Sequence, residues 1–203
     1  MATWLRRQGE DPLVVLFHDR ELAKQLRDIG VEPKVLAPRG RFDFGAVRRL
    51  GSWLAIHEVD VVHAHGYRAV VNCALARKHH RFAMVRTVHG LVESAGWWTL
   101  TGFKSHLYTR MERYFGRRAG AAVVYVTEDM RRRHAKFDRG LVTKTIHNGI
   151  DPLNRADYSR PADLEEEKFH LLAVGRVTRI KGLEYAVRAV AELDPSLNVV
   201  LNI

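Results

Sequence analysis

Short apolar runs alternate with helical periods along almost the whole chain, and no other feature narrows the fold so far. Thr3 to Gln8 reads as the tail of a helix closed by Gly9, Leu13 to Phe17 as a buried strand, Glu21 to Ile29 as a helix ended by Gly30, and Val31 to Leu36 as a strand. From Phe44 the spacing Val47, Leu50, Leu54 makes a helix, followed by a strand at Val59 to His65, a helix over Ala69 to Ala76 and a strand at Phe82 to Val88. A long helix from Phe103 to Phe115, a strand at Ala121 to Val126, a short helix through Met130 and a strand at Thr143 to His147 complete the series. Parallel strands need a crossover, and each intervening helix supplies one, so the order predicts an α/β protein with a parallel sheet of at least five strands between residues 10 and 150. The periodicity stops at Asp151 to Lys168, where Pro152, Pro161 and the acidic run from Asp163 read as a linker.

Beyond the linker, Phe169 to Val174 is a continuous apolar run, the pattern of a parallel strand covered on both faces. Leu183, Ala186, Val187, Val190 and Leu193 then mark one face of a helix. The turn between them carries Gly175, Arg176, Lys181 and Gly182. Gly175 is expected to let the backbone turn sharply, and Gly182 to start the helix with no side chain in the way. An arginine fork and a lysine beside a helix N-terminus suit a diphosphate, because backbone donors, helix dipole and both cations favour the same anion. The alternative is a solvated basic turn. Neither the Walker spacing nor the dinucleotide fingerprint is present.

The strands finish with His65-Gly66, His89-Gly90, Thr127-Glu128, Asn148-Gly149 and Gly175-Arg176, which places small and polar groups along one edge of a sheet. In this fold class that edge is where ligands bind. His63 and His65 share a strand face and offer two metal ligands, but no third stands at a recognisable spacing.

These residues carry a family resemblance. The stretches 60–66, 86–90, Glu112-Arg113 ahead of Ala119 to Thr127, 146–151 and 175–182 resemble, in that order and at those intervals, glycosyltransferase family 4, whose members are retaining and have the two-domain GT-B fold. The resemblance implies a Rossmann-like acceptor-side domain over 1–150, a linker over 151–168 and the beginning of a second Rossmann-like, donor-binding domain over 169–203. It also implies that His89 stands beside the transferred sugar, with His65, Gly66 and Gly90 on the acceptor side. Gly175, Arg176, Lys181 and Asn148 would serve the nucleotide-sugar donor, Arg176 and Lys181 acting on the leaving diphosphate, with no metal or other cofactor. Family members open with a strand and a glycine-rich loop and carry two glutamates well past the donor motif. This sequence starts in what would be the following helix and stops in the strand Leu197 to Ile203, so both ends are expected to be cut, the first strand lacking, and the chain alone inactive.

Charge and composition bear on partners. The formal net charge of +10 calls for an anionic partner. The resemblance makes that a nucleotide sugar rather than nucleic acid. Trp97 and Trp98 with Phe103, Lys104 and Tyr108, and the run Arg131 to His134, are compatible with peripheral attachment to an anionic membrane, although such a run is ordinarily a solvated face. A cytoplasmic protein is expected, at the inner face of the cell membrane if attached. Cys73, the single cysteine, is expected as a packed thiol. Two other readings keep the same residues: a non-catalytic anion- or membrane-binding remnant, and a nucleotide-sugar epimerase of the same architecture. Base, sugar and acceptor are not written in the sequence.

Overall fold

The computed structural model describes residues 2–40, 43–90, 100–149, 159, 164–165, 167–178 and 181–203. The chain forms two compact units, Met1–Asn148 and Gly149–Ile203.

In the first unit the elements run α1 (Ala2–Arg7), β1 (Val15–Leu16), α2 (Glu21–Asp28), β2 (Lys34–Val35), α3 (Phe44–Ile56), β3 (Val61–His65), α4 (Tyr67–Ala76), β4 (Ala83–Val88), α5 (Leu100–Arg118), β5 (Ala122–Tyr125), α6 (Glu128–His134) and β6 (Thr143–Thr145). All strand pairs are parallel. β3-β4-β5-β6 form a four-stranded sheet, and β1-β2 pair separately. The expected single sheet of five or more strands is thus divided. β1 and β2 are two residues long and half-buried or exposed, too short to extend a ladder, and Leu13 is 50% exposed rather than part of a buried strand.

The helices start where their caps are. Asp43 accepts from Ala46 N at 3.0 Å and Thr127 from Met130 N at 3.2 Å, each satisfying an orphan donor of the first turn. Val47, Leu50 and Leu54 of α3 then meet Val70, Cys73 and Ala76 of α4 and Met84 of β4 in one buried cluster. A second cluster joins Val123, Tyr125, Val126 and Met130. Cys73 is 6% exposed, and burial pushes its thiol pKa up to about 12, so it is the inert packed thiol expected.

The second unit contains β7 (Phe169–Leu172), α7 (Leu183–Ala191) and β8 (Val199–Asn202), with β7 and β8 parallel. The apolar run of β7 is not covered on both faces: Phe169, Leu172 and Val174 are 64%, 75% and 87% exposed. Among the described residues this unit has one α-helix and a short 3-10 helix, Pro195–Leu197, for two strands, too little to cover both faces of the pair. No helix among the described residues is long and apolar enough to cross a membrane.

Candidate active site

Because the four strands are parallel, their carboxyl ends share one edge. The register sets His65 opposite Thr87, which brings His89, two residues further on, against the His65 ring. His65 Nδ1 lies 2.8 Å from His89 Nε2 and the rings stack with centroids 5.1 Å apart. This contact uses one nitrogen of each ring and leaves His65 Nε2 and His89 Nδ1 for other partners. His63 shares the strand face, its ring centroid 4.3 Å from that of His65, and its Nε2 lies 2.6 Å from Thr87 Oγ1. Burial, reinforced by the neighbouring imidazoles, lowers the His65 pKa to about 4, and burial also lowers that of His63. Both are neutral at pH 7. At His63 and His65 the edge therefore presents uncharged imidazoles that donate and accept hydrogen bonds.

Gly66 has φ +80°, open to glycine at little cost, and it turns the chain from His65 directly into α4. Tyr67, the first residue of α4, stacks on Tyr108 of α5 with centroids 4.5 Å apart. Tyr108 is thereby part of the packing beside the His65 turn. Among the described residues, an added side-chain carbon at Gly90 would meet nothing within 4 Å. Trp97 and Trp98 lie outside the described residues. Asn148 is exposed on the same edge, beyond β6, and His147 before it is tied through Nδ1 to Val126 O at 3.0 Å. His65 and His89 are brought together; Asn148 follows two strands away.

A buried polar network holds β4 in place, and sequence reading missed it. Arg86, 3% exposed, donates to Asp138 Oδ1 at 2.7 Å and to Glu112 Oε1 at 3.2 Å, and Tyr125 Oη donates to Asp138 Oδ2. Gly116 of α5 makes room for it, since a side-chain carbon there would stand 3.1 Å from Arg86 Cδ. Burial raises the Glu112 pKa against the pull of Arg86. An arginine inside an otherwise apolar strand was the available signal. The run Arg131 to His134 is the solvated face expected, with the Arg132 and Arg133 side chains 78% and 62% exposed, and its arginines are paired along the helix. Arg131 and Arg132 pair with Glu128, Arg133 pairs with Asp129 at 2.7 Å, and the His134 ring packs edge-on against Tyr125.

In the second unit, Thr178 N donates to Arg176 O at 2.8 Å and Lys181 N to Thr178 O at 2.9 Å, closing the turn ahead of α7. Gly182 caps α7 with φ +63°, where a side-chain carbon would press to 3.1 Å from Tyr185 Cδ2. Gly175 has no such need: its φ is not positive, and a side-chain carbon there would make ordinary contact, 3.9 Å from Lys181 Cγ. The sharp turn thus belongs to Gly182, and Gly175 instead lies under the Lys181 stem. Arg176 and Lys181 are both exposed at this turn, and Arg179 and Ile180 lie outside the described residues. Among the described residues no group of three His, Cys, Asp or Glu side chains is placed to hold a metal ion.

A parallel α/β sheet with polar groups gathered at its carboxyl edge is the Rossmann-like architecture. The chain belongs to Glycosyltransferase Family 4, which it matches over residues 1–153. No curated protein sequence gives a match. Among solved structures, HepE of Anabaena in complex with UDP superposes with a TM-score of 0.74 at 19% identity, covering 98% of this chain and 54% of that one. HepE with UDP-glucose gives 0.72 at 21% identity, covering 98% and 53%. A glycosyltransferase from Rickettsia africae gives 0.60 at 15% identity, covering 99% and 62%. The fold is therefore of the GT-B type, and the chain spans about half the length of HepE.

Proposed function

We propose that this chain serves transfer of a sugar from a nucleotide-diphosphate sugar to a hydroxyl acceptor, with retention at the anomeric carbon. The observation that carries the reading is the meeting of His65 and His89 at 2.8 Å on the carboxyl edge, within the part of the chain that matches the family. HepE, of like fold, binds UDP and UDP-glucose, which supports a nucleotide sugar as donor. His89 would hydrogen-bond the transferred sugar through its remaining ring nitrogen, Nδ1, and the backbone at Gly66 and Gly90 would admit the acceptor. Arg176 and Lys181 would stabilise the diphosphate as its charge grows on leaving, contacts that count most in the transition state. Asn148 would assist donor binding. We propose that these two cations supply the charge a divalent ion supplies elsewhere, so that chelation by EDTA leaves transfer unchanged. The second unit has its strands exposed, so turnover by these residues alone is expected below the rate of about 1 per second at which many enzymes begin.

The test is incubation with UDP-glucose and a panel of hydroxyl acceptors, reading nucleoside diphosphate release and the anomeric configuration of the product by NMR. A product of retained configuration supports the reading. An inverted product refutes retention, and donor isomerised without an acceptor indicates an epimerase instead.

A further inference from the structure

The opposite edge of the four-stranded sheet is built from charge. Three connections arrive there: α4 to β4, α5 to β5 and α6 to β6. They are stitched by two arginines, Arg77 Nη1 donating to Ala119 O, and Arg117 Nη1 to Arg139 O at 2.9 Å and Phe137 O at 3.4 Å. Once these are used, Lys78, Arg81, Arg118 and Arg139 remain exposed, and none has an ion-pair partner among the described residues. The arginines of α6, by contrast, are paired along their own helix. Cations in the last turn of a helix are ordinary because they complement its dipole, but only Arg118 stands in one. Lys78 and Arg81 follow the end of α4, and Arg139 follows the end of α6. Of the acidic residues at this edge, Asp138 is buried against Arg86, and Glu58 and Asp60 stand at the start of β3, on the far side of β4.

Exposed apolar groups sit among these cations. Val142 is 75% exposed just before β6, and Phe137 is 41% exposed with the Arg113 guanidinium 3.8 Å above its ring and Lys136 Nζ at 5.0 Å. A branched aliphatic side chain offers a nucleic-acid duplex nothing to bond, whereas at the headgroup boundary of a bilayer it is buried from water while the cations meet lipid phosphates.

We propose that this amino-terminal edge, at the starts of β4, β5 and β6, docks on an anionic lipid bilayer. Docked this way, the carboxyl edge with His65 and His89 faces away from the membrane. The inference stands apart from the catalytic reading, because it uses none of the same residues.

The test is co-sedimentation of the full chain with vesicles of phosphatidylglycerol and phosphatidylcholine, against phosphatidylcholine alone. Binding is expected only to the anionic vesicles. Lys78→Gln, Arg81→Gln, Arg118→Gln and Arg139→Gln together should lower it about tenfold or more. A control of equal net charge, Arg20→Gln, Lys24→Gln, Lys34→Gln and Arg48→Gln, should keep it within about twofold. Val142→Ser should weaken it about threefold by removing the inserted side chain. All substituted residues are exposed, and circular dichroism checks folding; if the fourfold variant unfolds, the four single variants are read instead, each expected to weaken binding. No binding to anionic vesicles, an equal loss in both fourfold variants, or binding to duplex DNA in preference to vesicles would overturn the proposal.

Discussion

Replacing Asp138 by Asn keeps the shape of the buried network and removes one charge. Arg86 and Asp138 are each 3% exposed at the side chain, 2.7 Å apart, so the guanidinium would stay buried with its nearer counter-charge gone. Breaking such a pair costs about 3–5 kcal/mol, because the remaining ion has neither water nor partner. Glu112 still reaches Arg86 at 3.2 Å and is 18% exposed, which retains part of the compensation and favours the lower figure, about 3 kcal/mol. For a chain of this size that corresponds to a fall in Tm of roughly 6–12 °C. Urea unfolding followed by circular dichroism reads the loss directly, provided the slope is unchanged. Arg133→Gln, which breaks an exposed pair, is the reference and should cost under about 1 kcal/mol. If Asp138→Asn cost no more than Arg133→Gln, the network would not be the element that fixes β4, and with it His89, in place.

Three further outcomes are expected. Below pH 6.5 the first unit should lose stability as pH falls towards 4, because His65, with its folded pKa lowered to about 4 from 6.5, binds a proton more readily unfolded. His63 and His134 shift the same way, the half-exposed His65 contributes a screened and therefore small share, and His65→Asn should flatten the slope in thermal melts across that window. Gly182→Ala forces a side chain into φ +63° against Tyr185, at a cost of about 1–2 kcal/mol, and should lower hydrogen-exchange protection across Leu183–Ala191 while leaving β3 to β6 unchanged. Glu128, held by Arg131 and Thr145 at a pKa of about 2, gives a stabilising contribution that is complete above its ordinary 4.5 and fades as pH falls towards 2; Glu128→Gln should remove that acid-side slope.

Element order, strand direction and the polar carboxyl edge were legible, because each is local: a period of 3.6 in Val47, Leu50 and Leu54, a run of β-branched residues, a glycine after His65. What joins elements was not. Arg86 and Asp138 stand 52 residues apart, and nothing in either neighbourhood names the other. His65 and His89 were both singled out, yet their contact depends on a register that sets His65 against Thr87 and that no sequence period fixes. Strand ends were drawn too long at β1 and β2 because apolar composition continues where ladder bonds do not. The pairs of Arg131 and Arg133 with Glu128 and Asp129 were available from helical spacing and were overlooked. Gly175 was given the turn that Gly182 makes, since a glycine's identity does not reveal its φ.

The most direct test of the account is calorimetric titration of the chain with UDP, GDP and ADP, repeated with Lys181→Ala and Arg176→Ala. At least one nucleoside diphosphate is expected to bind, and each variant to weaken it by about 10- to 100-fold, the worth of a charge-assisted contact, with unchanged thermal unfolding. Equal affinity in wild type and both variants, or no binding of any of the three, would contradict the assignment of this turn to the donor diphosphate.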